Sequence, residues 1–188
     1  MVRRYALAVV FALSAVVLPA ATTYKAITFD ELVGRAAVIF IGEVIDVRPY
    51  RLDTRDGTII KTRVVFRVQD PIFGTTSTLE VLEFLGGEVG DLGMAVAGMP
   101  RFTIGDRRVV FATRERTINP IVGFTQGLLQ IRRDANGLDH VRTLDGAPVV
   151  GAQSFGARLP LLGNVPATPV RLSDFRDQIR RALLAHGR

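Results

Sequence analysis

Between Ile60 and Gln69 the side chains alternate without a break. Ile60, Thr62, Val64, Phe66 and Val68 fall on one side, and Lys61, Arg63, Val65, Arg67 and Gln69 on the other. A strict period of two belongs to a strand with one dry and one wet face, because successive side chains of extended chain point oppositely. A chain holding such a strand must build a sheet around it. The preceding run, Val38-Ile39-Phe40-Ile41-Gly42-Glu43-Val44-Ile45-Asp46-Val47, is rich in β-branched residues and too short to favour a helix. Gly42 in its middle predicts a bulge or bend of the kind a coiled strand needs. Asp56-Gly57 between the two runs predicts a hairpin turn with positive φ at its centre.

Further strands are expected over Leu79–Leu85, over Arg107–Arg114 with apolar residues on both faces, and over Gly127–Arg133 and Leu138–Thr143 around Ala135-Asn136-Gly137. Gly86 to Gly93 reads as a long glycine-rich loop, and Met94–Val96 as a short edge strand after it. Two helices frame the strands. Thr28-Phe29-Asp30-Glu31 is a capping box that starts a short helix over about residues 29–36. Ser173 is placed as the cap of a C-terminal helix over about 174–185. Phe175, Ile179, Ala182 and Leu183 form its apolar stripe.

Hairpins with one dry face leave open edges unless the sheet curls shut. The expected fold is therefore mostly β: a small OB-like antiparallel barrel with a short N-terminal helix and a C-terminal docking helix. A β-sandwich is the alternative. The expected division is a leader over 1–22, the β domain over 23–144, an irregular linker over 145–170 and the helix region over 171–188.

The leader carries the secretory pattern: Arg3-Arg4, an apolar run from Tyr5 to Leu18, then Pro19-Ala20-Ala21-Thr22 with small residues for cleavage. The run is shorter than the ~20 residues needed to span a bilayer. A secreted or periplasmic protein is expected, without a membrane span once the leader is removed. The chain has no cysteine, which excludes disulfides, thiolate metal sites and cysteine nucleophiles. It has no tryptophan and only two histidines.

The formal charge is +6, and Arg3 and Arg4 of the leader supply part of it. The arginines come mostly in pairs beside acids, as in Asp106-Arg107-Arg108 and Arg132-Arg133-Asp134, which reads as a solvated surface rather than a nucleic-acid face. Arg63 and Arg67 could form a basic stripe for nucleic acid, but stacking aromatics are missing beside them.

Catalytic constellations are weak. The glycines at 86, 87, 90 and 93 lack phosphate-loop spacing. Asp139 and His140 are neighbours on one strand and point apart, so they cannot form a triad with Ser154. Asp53, Asp56 and Gly57 lack the rest of a calcium loop. Glu88 and Asp91 remain as the pair a carboxylate-dependent hydrolase would use, an alternative that requires environments pushing two pKa values apart. No cofactor and no metal site is expected.

The segment Leu32–Arg133 resembles a bacterial exported family of unassigned activity. The resemblance rests on Asp30-Glu31-Leu32-Val33, Ala37 to Val44, Thr62 to Val68, Gly98-Met99-Pro100-Arg101-Phe102 with Gly105-Asp106, and Gly123-Phe124-Thr125-Gln126-Gly127. The opening helix and Gly-Glu-Val strand are also similar to the netrin-like barrels of tissue inhibitors of metalloproteinases. That resemblance implies an OB-type fold. It does not imply zinc chelation, which in that family uses an N-terminal cysteine that this chain lacks.

The functional expectation is a non-enzymatic exported binding module for a protein partner, with an exported peptidase as one conceivable partner. Met99, Arg101, Phe102 and Gln126 are the candidate binding residues, on segments expected near one end of the barrel or along one face. Arg101 offers a forked donor, Gln126 a donor and an acceptor, and Met99 and Phe102 apolar anchors. The competing reading is structural: Phe102 packs the barrel end, Gln126 satisfies loop backbone and Arg101 is solvated.

Overall fold

The computed structural model describes residues 25–115, 117–156 and 168–188. The leader expected over 1–22 and part of the linker expected over 145–170 lie outside the described residues.

The capping box forms as the sequence predicts. The Glu31 amide donates to the Thr28 hydroxyl at 3.1 Å, and the Thr28 amide donates to the Glu31 carboxylate at 2.9 Å. It opens α1 (Phe29–Arg35), whose Phe29, Leu32 and Val33 are buried. Next come β1 (Val38–Thr54) and β2 (Gly57–Phe73), each 17 residues long. They form one long antiparallel hairpin with Thr54 opposite Gly57. The turn residues are Arg55 and Asp56, not the expected Asp56-Gly57; Gly57 follows the turn at φ 125°. The register shifts at Ile39/Phe40, at Ile41/Gly42 and between Val44 and Asp46, so Gly42 stands at an irregularity, as expected.

The remaining strands are β3 (Leu79–Leu85), β4 (Gly87–Val89), β5 (Leu92–Met94), β6 (Arg107–Ala112), β7 (Leu128–Arg133) and β8 (Asp139–Arg142). Six of the eight strands among the described residues, β1 and β2 included, make one antiparallel sheet in the order β3-β2-β1-β6-β7-β8, and β4 pairs with β5 in a separate two-stranded ribbon. The glycine-rich stretch 86–93 is therefore a small ribbon rather than an open loop. The short strand sits at Leu92–Met94 instead of Met94–Val96. The outcome is mostly β, with two α-helices among the described residues.

β1 and β6 are central, and each buries side chains on both faces. On one face Ile39, Ile41, Val109, Phe111, Leu129, Ile131 and Val141 pack against α1 and against α2 (Leu172–Ala185). On the other, Val38, Phe40, Val44, Val64, Phe66, Leu82, Phe84, Val110 and Leu128 pack together, with Met99, Phe102 and Leu144 against them. Of the inward set expected for β2, Ile60, Val64 and Phe66 are buried and Thr62 and Val68 are half-buried.

Strand pairing leaves β3 and β8 at the edges among the described residues. β3 is nonetheless tied to the segment between β6 and β7. The Leu85 amide donates to the Ile118 carbonyl at 2.9 Å, and Arg114 grips the buried Glu80 carboxylate through both terminal nitrogens at 3.1 and 3.0 Å. An inward-facing carboxylate on an edge strand also discourages pairing with another chain.

Residues 145–156 and 168–170 have no extended strand, as an irregular segment should, yet they are part of the core. Val149 is fully buried, and Val170 and Val149 are hydrogen-bonded to each other and to Val141 of β8. The N-cap of α2 is Arg171, not Ser173, and no side chain caps it. Phe175, Ile179 and Leu183 are the buried stripe. Arg180 of α2 lies 3.7 Å from Asp70.

Candidate functional site

A groove of about 790 Å³ opens beside the β1–β2 hairpin and β3. Its floor comes from β1 and β2 (Val47, Pro49, Thr62) and from Phe84 of β3. One wall is the β4–β5 ribbon with Glu88, Gly93 and Met94, and the other is the segment from Ala95 to Phe102. The groove thus contains three of the four candidate residues: Met99, Arg101 and Phe102.

The wall exists because the chain turns sharply between β3 and β4. Gly86 has φ 103° and Gly87 has φ 134°. A Cβ on Gly87 would stand 2.5 Å from the Thr62 hydroxyl and 3.0 Å from Pro49. Only glycine lets the ribbon leave the sheet this close to the hairpin. The Thr62 hydroxyl donates to the Gly86 carbonyl at 2.7 Å and pins the turn.

Phe102 is the anchor of the opposite wall. Its ring meets Phe66 edge-on at 5.8 Å between centroids and lies 4.8 Å from Phe84 at a tilt. Such arrangements suit the ring quadrupoles. Phe102 is thus half-buried and serves the core as well as the groove, as the structural reading expected. Met99 is half-buried at the lip, and Arg101 is exposed with no hydrogen-bond or ion-pair partner among the described residues. Arg101 is the groove's uncommitted cation. Glu88 on the facing ribbon is exposed, and Asp91 sits in the turn of that ribbon, outside the groove lining.

Gln126 is not part of this groove. It lines a separate pocket with Lys25, Arg35 and Asn119, where the chain enters α1. The Ile27 amide donates to Gln126 Oε1 at 2.9 Å, and Gln126 Nε2 donates to the carbonyls of Lys25 at 3.0 Å and Gly123 at 3.2 Å. It latches the N-terminal segment to the loop before β7. Asn119 does similar work nearby: Ile121 N donates to its Oδ1 and its Nδ2 donates to the Phe124 carbonyl. Residues 99–102, expected with 123–127 near one end of the barrel or along one face, therefore do not share a pocket with Gln126. A glutamine can satisfy backbone groups about 100 residues away in sequence, and nothing local announces it.

The outer face of β2 offers no free basic stripe. Arg63 and Lys61 both approach Glu83 at 3.5 and 3.6 Å, and Arg67 lies 4.0 Å from Glu43. Tyr50 donates to Glu83 at 2.8 Å, and that hydrogen bond is the main reason the Glu83 carboxyl sits below its ordinary pKa, assisted by Lys61 and Arg63. The same neighbourhood, burial first, raises the Tyr50 phenol. Asp139 and His140 diverge as expected: Asp139 pairs with Arg107 and Arg133, while His140 lies against Asp134 and the Pro169 carbonyl.

Among the described residues no helix is long and apolar enough to cross a membrane, and no three His, Cys, Asp or Glu side chains come together to hold a metal ion. No family model, no curated protein and no solved structure matches the chain.

Proposed function

We propose that this protein is an exported binding module that takes a protein partner in the groove between the β4–β5 ribbon and residues 95–102. The observation that carries the reading is the composition of that groove. Its apolar lip and floor, from Val47, Met94, Val96, Met99 and Phe102, stand beside Arg101, which is committed to nothing else in the described structure. Apolar anchors beside a forked donor suit a partner segment with a large apolar side chain next to a carboxylate. Loops and ribbons held on a rigid sheet are common places for such recognition.

The same reading treats the six-stranded sheet as a partly open OB-type barrel, related in shape to the netrin-like inhibitors. In its support, β3 is stitched to the segment after β6 by one backbone hydrogen bond and the Arg114–Glu80 pair. An exported peptidase is one partner class consistent with that likeness, by a mechanism that does not use a cysteine at the zinc.

The test is a photo-crosslinking amino acid placed at Ala95, an exposed residue of the groove wall, in the exported protein, with the same group at Arg51 on the hairpin arm as comparison. A discrete adduct from position 95 that is absent from position 51, and that disappears in Met99→Asp, is the expected result. Equal labelling from both positions, or none from position 95, rejects the groove as the binding surface.

A further inference from the structure

Two arginine pairs that look unremarkable in sequence come together in the fold. Asp106-Arg107-Arg108 begins β6, and Arg132-Arg133-Asp134 ends β7. β6 and β7 are antiparallel neighbours with Arg108 opposite Gln130, so the two pairs meet at one end of the sheet. They line a pocket of about 610 Å³ with Gln69, Gly105, Asp106, Gln130 and Ile131. This pocket is distinct from the groove at Met99 and Phe102 and shares none of its lining residues.

The ion pairs in the pocket do not use up its donors. Asp139 is shared between Arg107 at 2.7 Å and Arg133 at 3.0 Å, and those two arginines hold its carboxyl below the ordinary range. Asp106 takes one Nη of Arg108 at 2.6 Å. Arg108 is only 6% exposed, and its buried Nε has no hydrogen-bond partner among the described residues. Arg132 donates through Nε to Gln130 at 2.9 Å and meets no carboxylate there. Arg107 and Arg133, on one face of the sheet, are thus taken up by Asp139, whereas Arg108 and Arg132, on the other, have one carboxylate, Asp106, between them among the described residues and keep unused N–H groups.

We propose that this pocket is a binding site for a phosphate-type oxyanion, carried on a small phosphate ester or on a lipid headgroup. A tetrahedral dianion accepts several N–H bonds at once from guanidinium forks, which suits arginine better than lysine. The nearly buried Arg108 and its partner Asp106 give the site a fixed wall, and the exposed Arg132 provides the adjustable side. The basic residues lining it are all arginine.

The experiment is titration of the full exported chain with glycerol phosphate by NMR, at ionic strength held constant with chloride. In parallel, phosphatidylglycerol vesicles are used in sedimentation, with phosphatidylcholine vesicles as reference. Saturable binding with a Kd of about 1 mM or tighter is expected. Arg132→Gln, at an exposed position, should weaken it about tenfold or more, while Arg51→Gln on the hairpin arm removes the same charge and should leave it unchanged. Binding to glycerol phosphate alone assigns a soluble ester. Binding to anionic vesicles as well, lost in Arg132→Gln, assigns a lipid headgroup. Absence of saturable binding to either probe overturns the proposal, as does equal weakening by Arg132→Gln and Arg51→Gln. The result is independent of whether the groove at Arg101 takes a partner.

Discussion

Residues 99–102 and residues 123–127 are similar loops in sequence: each sets an aromatic and a polar or charged side chain beside glycine. The fold gives them opposite roles. In the first, the side chain with hydrogen-bonding capacity, Arg101, points to nothing in the described structure, and the aromatic, Phe102, is set on Phe66 and Phe84. In the second, Gln126 spends its oxygen and its nitrogen on backbone groups of Ile27, Lys25 and Gly123. A polar side chain whose donors and acceptors are already satisfied within the fold has little left for a partner. The lesson is that hydrogen-bond accounting, not residue type, separates a loop with donors to spare from a latch.

The contrast can be broken by substitution. The largest effect belongs beneath the first loop. Phe66→Ala should lower unfolding free energy by about 3–5 kcal/mol, because the ring is fully buried between Phe40 and Phe102. Its neighbour Arg67, exposed on the opposite face, should lose under about 0.5 kcal/mol as Arg67→Ala. Urea unfolding of both checks this, and equal effects would mean that the register of β2 is wrong.

Phe102→Ala should cost about 2–3 kcal/mol, less than a full burial because the ring is half-exposed in the groove. If partner binding also falls, Phe102 has both roles; if stability alone falls, the loop contributes only packing.

Gln126→Ala should cost about 1–2 kcal/mol by leaving the Ile27 amide without its acceptor, a loss of several degrees in melting temperature. It should leave partner capture unchanged. An unaltered melting temperature would return Gln126 to the list of binding residues and undo the contrast between the loops.

Arg101→Ala should change stability by less than about 0.5 kcal/mol while removing the crosslink at the groove, since the side chain is exposed and unpartnered. A clear loss of stability would give it a structural role instead.

A final, smaller effect lies outside both loops. Asp139 is held below its ordinary pKa first by the Arg133 hydrogen bond, then by Arg107. A carboxyl lowered on folding contributes stability that is present above its unfolded pKa and lost as pH falls through its folded one. Melting temperature should therefore decline as pH drops through and below the ordinary carboxylate range. Asp139→Asn should flatten part of that decline, and an unchanged acid slope would place the effect elsewhere.

Much of this was legible locally. The capping box, the alternation of β2, the irregularity at Gly42 and the apolar stripe of α2 all follow from short-range spacing. A turn of helix or a pair of strand faces is decided by residues a few positions apart. The errors fell where neighbours in sequence are not neighbours in space. Ser173 looks like a cap, but the helix starts at Leu172, two residues before the expected start, with Arg171 as the extended entry at φ −67° and ψ 146°. The glycine stretch 86–93 looks like a loop, and closes as a ribbon because Gly86 and Gly87 take positive φ against the hairpin.

The sequence by itself determined that the chain makes a mostly β domain framed by two helices, that Phe66 faces in and Arg67 out, and that cysteine chemistry is excluded. Periodicity and composition settle such matters without reference to distant residues. The tertiary structure alone decided which polar groups are taken and which are left over. It assigned Gln126 to the backbone around Ile27, left Arg101 unpaired at the groove, and brought Arg108 beside Arg132 through the pairing of β6 with β7. Burial and hydrogen-bond satisfaction depend on the whole packed chain, so no window of sequence contains them.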